Sequence, residues 1–457
     1  MSNESTQLWA AREFGNAELG DKRRTNRLVL IAEGSASNVG GAISSCCGKN
    51  GAQLVSNFFD LEEVTVSSVL EPHINETAKR CGEFPRVFAV QDTTTLNFAS
   101  HKALKGKGPI GPEAYEGGFL MHTVLAVTPD RTPLGILGMN IWARKKEEHG
   151  KRNQSRIRPI EEKESLKWLT GLRQVETALP EDTPVLVIGD RESDLFPLFA
   201  APRRGNTHIL LRCCYNRSID EESGYLFTAL DGASELGSYT VTVPRKPGVP
   251  EREATMKVYA VEVKINPPRE RTVEKYAGPI TLYCVWAKEI NAPKDVEPLD
   301  WKLLTTLKVL LFDEALYVIN AYTCRWVIEE FHRVLKSGCK IERMQFEKAE
   351  RLWPAIAVLS VVAWRVLHLS KFGRENPDAP ADAVSNAAEQ KVLNLWLRSR
   401  KEKSCEIVTV RDFVMGVAKL GGFMGRKGDG NPGTKVLWQG LRRLEDLVAG
   451  FMLANIS

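Results

Sequence analysis

The sequence predicts an α/β protein in which a mixed sheet is flanked by helices, interrupted by an all-β insertion and bordered by helical segments at both ends. Two apolar stretches, 119–127 and 134–142, are joined by a short turn with two prolines, so they must pair as antiparallel strands. Strands and helices then alternate from 159 to 211, which is typical of a sheet covered by helices. Between about 215 and 300, polar and apolar residues alternate and indicate the insertion.

The N-terminal segment has the pattern of a small, basic, helical domain. Leu28 and Ile31 follow the basic stretch 22–27 at helical spacing, and Asp21 precedes that stretch as a helix cap. The tail beyond 377 is rich in Ala, Leu and Arg and also has helical periodicity. The predicted domains are 1–70, which is helical, 71–372, which holds the sheet with its insertion, and 373–457, which is helical.

The other elements follow from apolar runs and helical periodicity. In chain order they are strand 87–90 running into 91–95, a charged helix at 159–178, strand 184–188 ending at Gly189 and Asp190, a helix at 193–199, strand 208–211, insertion strands 239–243, 258–263 and 280–286, strand 301–306, and long helices at 313–337 and 346–371.

Length and composition exclude several classes of protein. A chain of 457 residues suggests two or three domains, and a 43% hydrophobic and 26% charged composition excludes a disordered or collagenous chain. The longest apolar run, 356–364, is about half of what a bilayer span needs, so we expect a buried helix and no membrane partner. The N-terminus lacks a secretion-signal pattern, so we expect a cytoplasmic protein. Nine cysteines without a C-x-x-C motif indicate reduced thiols rather than a zinc site.

The charge is only mildly basic, with a net value of +5, but basic residues cluster. The clusters lie at 22–27, 144–146, 398–401 and Arg442-Arg443. A single cluster is most often a solvated surface, whereas several on one chain favour a polyanionic partner.

Two acidic residues come directly after buried strands. Asp92 follows 87–90, and Asp190 follows 184–188. Sites in helix-covered sheets are built at the carboxyl ends of the strands, so we expect both residues to contribute to one site. One such Asp alone would most often be a turn or helix cap. Glu192 and Asp194 crowd Asp190 and are expected to be exposed acids at a helix start.

A third group lies on the predicted helix 313–337. Tyr322, Arg325, Glu329 and Lys336 have offsets of three, seven and fourteen residues, which place them within a sector of roughly 60° on one helix. An apolar stripe occupies the opposite side. The alternative interpretation is a surface ion-pair face, because Arg325 and Glu329 have i,i+4 spacing.

Three carboxylates from two strands and one helix suit hard divalent cations. Mg²⁺ takes a few carboxylates and keeps positions for water and phosphate oxygens. Two such ions about 3.5–4 Å apart would activate an attacking water or hydroxyl and stabilise the leaving oxygen of a phosphodiester. Arg325 and Lys336 could hold a nearby phosphate. The sequence therefore predicts phosphodiester chemistry.

The pattern Tyr322-x-x-Arg325-x-x-x-Glu329-x-x-x-x-x-x-Lys336 resembles the Y-R-E-K signature of bacterial insertion-sequence transposases related to the transposon Tn5 enzyme. Further matching segments lie along the chain: Leu19-Gly20-Asp21, Asp92-Thr93-Thr94, Asp190-Arg191-Glu192, Pro298-Leu299 with Trp301, Ile328-Glu329-Glu330-Phe331-His332 and Leu420-Gly421-Gly422-Phe423-Met424. The resemblance implies a ribonuclease-H-like catalytic core with a β insertion, an N-terminal domain that binds DNA ends and a C-terminal dimerisation domain.

The resemblance also implies roles for individual residues. Asp92, Asp190 and Glu329 would form the catalytic DDE triad, which binds two Mg²⁺ ions or Mn²⁺ in their place. The residues implied to contact DNA are Tyr322, Arg325, Lys336, Trp301, Arg212, Arg23, Arg24 and Arg27. Among them, Trp301 would stack on a flipped base during hairpin formation. The implied partners are transposon terminal repeats, target DNA and a second copy of the chain.

Three other functions fit parts of the pattern. A metal-dependent nuclease or resolvase would use the same acids without strand transfer. A catalytically silent derivative would bind DNA ends without cutting them. A glycoside hydrolase would use two acids, but cationic residues beside them suit phosphate better than sugar.

Overall fold

A computed structural model describes residues 9–37, 43, 51–111, 116–148, 158–221, 224–244, 250–268, 276, 278–294, 296–400, 406–426 and 428–454. The chain divides into two compact units. The first unit takes its described residues from Met1–Glu83, Thr93–His149 and Val327–Ser457, and the second from Phe84–Asp92 and Gly150–Trp326.

The secondary structure confirms the predicted fold class, a mixed α/β protein with helical segments at both ends. The α-helices are α1 Trp9–Phe14, α2 Lys22–Ser37, α3 Gly51–Phe59, α4 Val66–Cys81, α5 Leu166–Ala178, α6 Phe196–Ala200, α7 Leu226–Asp231, α8 Phe312–Thr323, α9 Trp326–Arg333, α10 Ala349–Glu375, α11 Ala387–Ser399, α12 Val410–Leu420 and α13 Thr434–Ala454. The strands are β1 Val87–Asn97, β2 Gly108–Pro109, β3 Glu116–Val127, β4 Pro133–Trp142, β5 Val185–Gly189, β6 Thr207–Arg212, β7 Glu235–Val243, β8 Arg252–Ile265, β9 Ile280–Ile290 and β10 Asp300–Thr305.

The second unit contains a mixed sheet in the order β1, β5, β6, β10, β9, β8, β7. Strands β5 and β6 run parallel to each other and to the N-terminal part of β1. The pairs from β6 onward are antiparallel. The predicted insertion consists of β7, β8 and β9 with the short helix α7, and β10 joins it to the parallel strands. The strand predicted to return to the sheet is therefore β10.

Helices cover both faces of this sheet. A Cβ atom at Gly171 of α5 would lie 2.3 Å from the Oε1 atom of Gln91 in β1, so α5 packs directly on that side of the strand. The ring of Phe88 in β1 lies 6.3 Å from the ring of Tyr317 in α8. Because neighbouring residues of a strand face opposite sides, α8 covers the face of Phe88 and Val90, and α5 covers the face of Gln91.

In the first unit, β3 and β4 form the predicted antiparallel pair, with His122 opposite Asn140. The C-terminal part of β1 lies beside β3, where the backbone N–H of Phe98 donates to the carbonyl oxygen of Gly117 at 2.8 Å. Helix α10 packs on β4 and on helices α2, α3, α4, α12 and α13. The domain boundaries at residues 70 and 372 stay predictions.

Helix α10 contains the apolar run 356–364 and is buried, as predicted. Its central run, 354–364, is apolar except for Ser360 and is buried on all sides, which is typical of a helix in a protein core. By length and composition alone it could cross a membrane, but 83% of its most apolar 18-residue window is buried inside the protein.

A buried polar cluster connects α1, α4 and β4 in the first unit. The Oε2 atom of Glu13 lies 2.6 Å from Nδ1 of His73, and Nη1 of Arg80 donates to Oε1 of Glu13 at 2.8 Å. The backbone N–H of Ile136 donates to Nε2 of His73 at 3.1 Å. His73 is therefore neutral with its proton on Nδ1, and Arg80, which also lies over the ring of Trp364, balances the charge of Glu13.

The electrostatics of this cluster favour an ionised carboxylate. Burial opposes ionisation of Glu13, but the hydrogen bonds and charges of His73 and Arg80 outweigh burial and hold the pKa of Glu13 well below its usual range. Burial also lowers the pKa of His73, which agrees with a neutral ring. A carboxyl with a lowered pKa stabilises the fold at any pH above its ordinary pKa and loses that contribution only in strong acid.

We predict that Glu13→Gln destabilises the first unit by about 3 kcal/mol, because it leaves Arg80 partly buried without a balancing charge. Urea unfolding at neutral pH measures the change. The matched control is Glu76→Gln on α4, whose ion pair with Lys79 lies at the surface and contributes less than about 0.5 kcal/mol. Equal effects of the two substitutions would contradict a structural role for the buried cluster.

Candidate active site

The register of two parallel strands in the second unit sets Asp92 beside Asp190. Val90 of β1 pairs with Ile188 of β5, so the residues two positions further along, Asp92 and Asp190, lie at the same level. Residues two apart share a face of the sheet, and neighbouring strands are about 4.8 Å apart. Both side chains therefore start from the same face at adjacent positions, and both residues are half-buried.

The prediction that Asp92 follows the end of its strand is wrong, because β1 continues to Asn97. The physical reason is that the backbone beyond Asp92 gains a hydrogen-bonding neighbour in β3. Asp190 does follow the end of β5 and caps the short 3₁₀ helix Arg191–Ser193, accepting a hydrogen bond from the backbone N–H of Glu192 at 2.8 Å.

The two carboxylates interact electrostatically. Burial raises the pKa of Asp190, and the negative charges of Asp92 and Glu192 raise it further. The hydrogen bond from the Glu192 backbone and the positive charge of Arg325 act in the opposite direction but do not cancel the rise. A bound cation would stabilise the ionised form of a carboxylate whose pKa is raised beside a second carboxylate.

Tyr322 and Arg325 lie near this pair within the second unit. Burial raises the pKa of Tyr322, while the charges of Arg325 and Arg212 lower it and the charge of Asp190 raises it. Tyr322 and Arg325 are also joined by a side-chain hydrogen bond. Both residues are buried, and the guanidinium of Arg325 lies 4.6 Å above the centre of the Trp326 ring. Tyr322 is near the end of α8, the helix on the Asp92 face of the sheet.

Trp301 and Arg212 complete the group in the second unit. The ring of Trp301, in β10, lies 6.0 Å from the ring of Tyr322 at an interplanar angle of 65°. Nη2 of Arg212, at the end of β6, donates to the carbonyl oxygen of Asp300 at 3.2 Å. The fold thus brings together six of the predicted site residues: Asp92, Asp190, Arg212, Trp301, Tyr322 and Arg325.

The prediction of one continuous helix over 313–337 is wrong. Helix α8 ends at Thr323, and α9 begins at Trp326. Between them, the backbone N–H groups of Cys324 and Arg325 donate to carbonyl oxygens three residues earlier, which is the tighter pattern of a 3₁₀ turn. The segment Val334–Gly338 then forms a π-helical turn. Tyr322, Arg325, Glu329 and Lys336 therefore do not share one continuous helix, and the prediction that they lie in one sector of it is wrong.

Glu329 and Lys336 belong to the first unit. Glu329 is exposed on α9. Nζ of Lys336 donates to the carbonyl oxygen of Thr95 in β1 at 2.8 Å and lies 3.5 Å from Oε1 of Glu342. Lys336 thus packs against the C-terminal part of β1. The convergence of Glu329 on Asp92 and Asp190 stays a prediction.

The predicted N-terminal DNA contacts lie on α2 in the first unit. Asp21 caps this helix as predicted, with its Oδ1 atom accepting from the backbone N–H of Arg23 at 2.8 Å. Arg23 is exposed, and Arg27 is half-buried. Arg24 is half-buried, and its Nη1 atom donates to the carbonyl oxygen of Leu19 at 2.9 Å and pairs with Glu63 at 2.7 Å.

Asp194 differs from its prediction as an exposed acid. It is buried and forms an ion pair with Arg217 at 2.6 Å, and it accepts a hydrogen bond from the backbone N–H of Cys214 at 2.7 Å. It fixes the segment that follows β6. Glu192 is exposed as predicted and pairs with Lys167 at 3.2 Å. Sequence reasoning missed Arg217, because no local pattern links it to Asp194.

The side chains of Asp92 and Asp190 supply part of a binding site for a divalent cation. Asp92 and Asp190 supply adjacent carboxylates of the type that Mg²⁺ binds. Over the residues that the structure describes, no group of three or more His, Cys, Asp or Glu side chains is arranged to hold a metal ion. A third protein ligand, or phosphate and water oxygens, would have to complete the coordination.

Two family models match segments of the chain that do not include Asp92 or Asp190. A model described as transposase DNA-binding matches residues 6–54, and a model described as the transposase Tn5 dimerisation domain matches residues 361–456. These matches confirm the resemblance to Tn5-like insertion-sequence transposases. They support a transposase that binds DNA and forms homodimers.

We predict that Asp190→Asn stabilises the protein at pH 7 when divalent cations are absent, because the substitution removes repulsion from Asp92. A raised pKa means that the folded state holds the proton more tightly than the unfolded state, so wild-type stability falls as pH rises above the ordinary Asp pKa. The advantage of the variant should shrink toward pH 4. Urea unfolding across this range tests the prediction.

The matched control for this measurement is Asp182→Asn, at an exposed position before β5. It should change stability little at any pH. A loss of stability in Asp190→Asn at neutral pH would mean that the carboxylate pair is not under repulsion.

Proposed function

We propose that this Tn5-like transposase is a cut-and-paste enzyme in which Asp92, Asp190 and Glu329 promote phosphoryl transfer at transposon ends. The observation that supports this most strongly is the pair of level carboxylates on β1 and β5, with a raised Asp190 pKa. Arg325, whose charge acts on Asp190, is a cation close to acids, a combination that suits a phosphodiester substrate.

Two Mg²⁺ ions, or Mn²⁺ in their place, would be held by Asp92, Asp190 and Glu329. When bound, such ions activate an attacking hydroxyl and stabilise a leaving oxygen in an in-line displacement. The protein supplies the fixed carboxylates. Asp92 lies on β1 and Asp190 directly follows β5, so the pairing of these two strands holds both carboxylates at adjacent positions.

The neighbouring cations and aromatic rings would position the DNA. Arg325 and Arg212 would hold backbone phosphates, with Tyr322 donating its hydroxyl to a phosphate oxygen and Lys336 contacting the same strand. Trp301 would stack on a base flipped out of the transposon end, an interaction worth about 1–3 kcal/mol per base. Its place beside Tyr322 supports this role, because a stacked base and its phosphate would then meet adjacent side chains.

The reaction would proceed as a series of in-line attacks at one site. Water first attacks the phosphodiester at the transposon end and frees a 3′-hydroxyl. That hydroxyl attacks the opposite strand and forms a hairpin, which a second water opens. The same 3′-hydroxyl then attacks target DNA, forming a new phosphodiester while a target 3′-oxygen leaves. Each step exchanges one P–O bond for another, so one set of carboxylates can promote all of them.

The ends of the chain would organise the complex. The basic side chains of α2, Arg23, Arg24 and Arg27, would contact the terminal repeats. A homodimer would hold two ends, with each active site acting on the end bound by its partner. These reactions would take place in the bacterial cytoplasm at the nucleoid.

Two alternatives make different predictions. A metal-dependent nuclease or resolvase would cut but not join DNA, and a silent derivative would bind ends without cutting. The unusual electrostatics of Asp190 favour an active site over the silent derivative, because perturbed carboxylates concentrate where they act.

We predict that Asp92→Ala, Asp190→Ala and Glu329→Ala each lower cleavage of end-bearing DNA by at least about 100-fold, because each removes a cation ligand. Binding to the ends should persist. A denaturing gel detects nicks and hairpins, and a mobility-shift assay detects binding.

The matched control is Glu330→Ala, next to Glu329, whose partner is Lys371 at 2.9 Å. This protein should keep cutting. Full cleavage by Glu329→Ala would remove Glu329 from the triad and leave the aspartate pair to be explained otherwise.

We predict that the wild-type protein joins pre-cut ends with free 3′-hydroxyls to a target plasmid in Mg²⁺. Ends that lack the 3′-hydroxyl should not join, because the nucleophile is missing. Gel analysis of the plasmid measures joining. Cleavage of intact ends without joining of pre-cut ends would assign a nuclease or resolvase function instead.

A further inference from the structure

The chain leaves the parallel strands β5 and β6 of the second unit side by side. Gly189, the last residue of β5, pairs with Leu211 of β6, so Asp190 and Arg212 follow at the same level. After Asp190 the chain forms the 3₁₀ helix Arg191–Ser193. Two segments that carry residues of the candidate site therefore leave the sheet next to each other, and their geometry depends on what joins them.

Asp194 joins the two segments. Its side chain is fully buried, and its Oδ2 atom accepts hydrogen bonds from the backbone N–H groups of Cys214 at 2.7 Å and Tyr215 at 3.2 Å. Nε and Nη2 of Arg217 donate to its Oδ1 atom at 3.1 and 2.6 Å, and the same Nη2 donates to its backbone carbonyl oxygen at 2.5 Å. Hydrogen bonds to a buried charge are stronger than neutral ones, so this network ties the segment after β5 firmly to the segment after β6.

The network reaches Asp190 through a short turn. Ser193 is fully buried, and its hydroxyl donates to the carbonyl oxygen of Asp190 at 2.5 Å. A Cβ atom at Gly189 would lie 2.3 Å from this hydroxyl oxygen, so the turn packs directly on the end of β5. Oδ1 of Asp190 accepts from the backbone N–H of Glu192 in the same turn at 2.8 Å. The turn that Asp194 anchors therefore also orients the Asp190 carboxylate.

A second contact holds this turn but is weaker. Glu192 pairs with Lys167 of α5 at 3.2 Å, and the Glu192 side chain is 68% exposed. Ion pairs in contact with water contribute little, whereas removal of one partner of a buried pair leaves an uncompensated charge. The pair of Asp194 and Arg217 is therefore the stronger of the two anchors.

We infer that Asp194, held by Arg217, is a positioning residue that fixes the carboxylate of Asp190 for binding of a divalent cation. The inference rests on the proposed function, in which Asp190 is a cation ligand. Asp194 acts through the turn that follows Asp190 and is not itself a ligand. Loss of groups that orient the ligands of a metal ion typically lowers affinity or activity by about 10–100-fold.

The experiment compares Asp194→Asn with a matched control, Glu289→Gln, in the full-length protein. Glu289 pairs with Arg252 in the insertion, and the two pairs are equally buried, with exposures of 0% and 1% for the acids and 14% for both arginines. The two substitutions should therefore lower the urea midpoint of unfolding by similar amounts. Asp194→Asn alone should weaken Mn²⁺ binding, by about 10-fold, as measured from the electron-spin resonance signal of free Mn²⁺.

Amide hydrogen exchange, followed by mass spectrometry, tests the same role without a cation. Peptides that cover 190–195 should exchange at least about 10-fold faster in Asp194→Asn, because the turn loses its anchor, and at the wild-type rate in Glu289→Gln. Arg217→Lys is the milder variant should Asp194→Asn fold poorly. It keeps a positive charge but lacks the fixed fork of donors, so it should change both measurements in the same direction by a smaller factor.

Mn²⁺ affinity and exchange rates that are the same in Asp194→Asn as in Glu289→Gln would overturn the inference and leave Asp194 with a role in stability only. Asp190→Ala distinguishes this result from failure of the proposed function. If Asp190→Ala binds Mn²⁺ as tightly as the wild-type protein, Asp190 is not a cation ligand, and the proposed function fails together with the inference.

Discussion

The parallel pairing of β1 with β5 is the constraint on which the candidate site depends. It sets Asp92 level with Asp190 on one face of the sheet, and a slip of one residue would turn one carboxylate to the opposite face. The buried apolar residues before each aspartate fix that register, because they pack between α5 and α8. The strands thus hold the negative charges of Asp92 and Asp190 at adjacent positions. A small movement of either side chain would not separate them.

This arrangement costs stability unless a cation is present. Burial and the neighbouring Asp92 both raise the pKa of Asp190, so the ionised form is disfavoured in the protein alone. Arg325 offsets only part of the repulsion. A protein selected for stability alone would replace one of the aspartates, whereas one that binds cations and phosphates gains function from the same repulsion.

The sequence predicts the strands and the insertion, because these depend on local residue patterns. The apolar runs before Asp92 and Asp190 gave both strands, and the alternation after 215 gave the insertion. The break between α8 and α9 was missed, because no Gly or Pro marks Cys324 and Arg325. Asp194 was predicted as exposed, since its partner Arg217 is distant in sequence. Six predicted site residues lie together in the second unit. Glu329 lies on α9 in the first unit, and helical periodicity does not encode tertiary arrangement.

Iron-directed cleavage of the polypeptide tests most directly whether the three acids share one cation site. Fe²⁺ replaces Mg²⁺ at carboxylate sites, and with ascorbate and peroxide it cuts the backbone next to its ligands. We expect three cuts, beside Asp92, Asp190 and Glu329, that excess Mg²⁺ suppresses together. Cuts beside Asp92 and Asp190 without one beside Glu329, in protein bound to DNA ends, would contradict a cation site shared by the three acids.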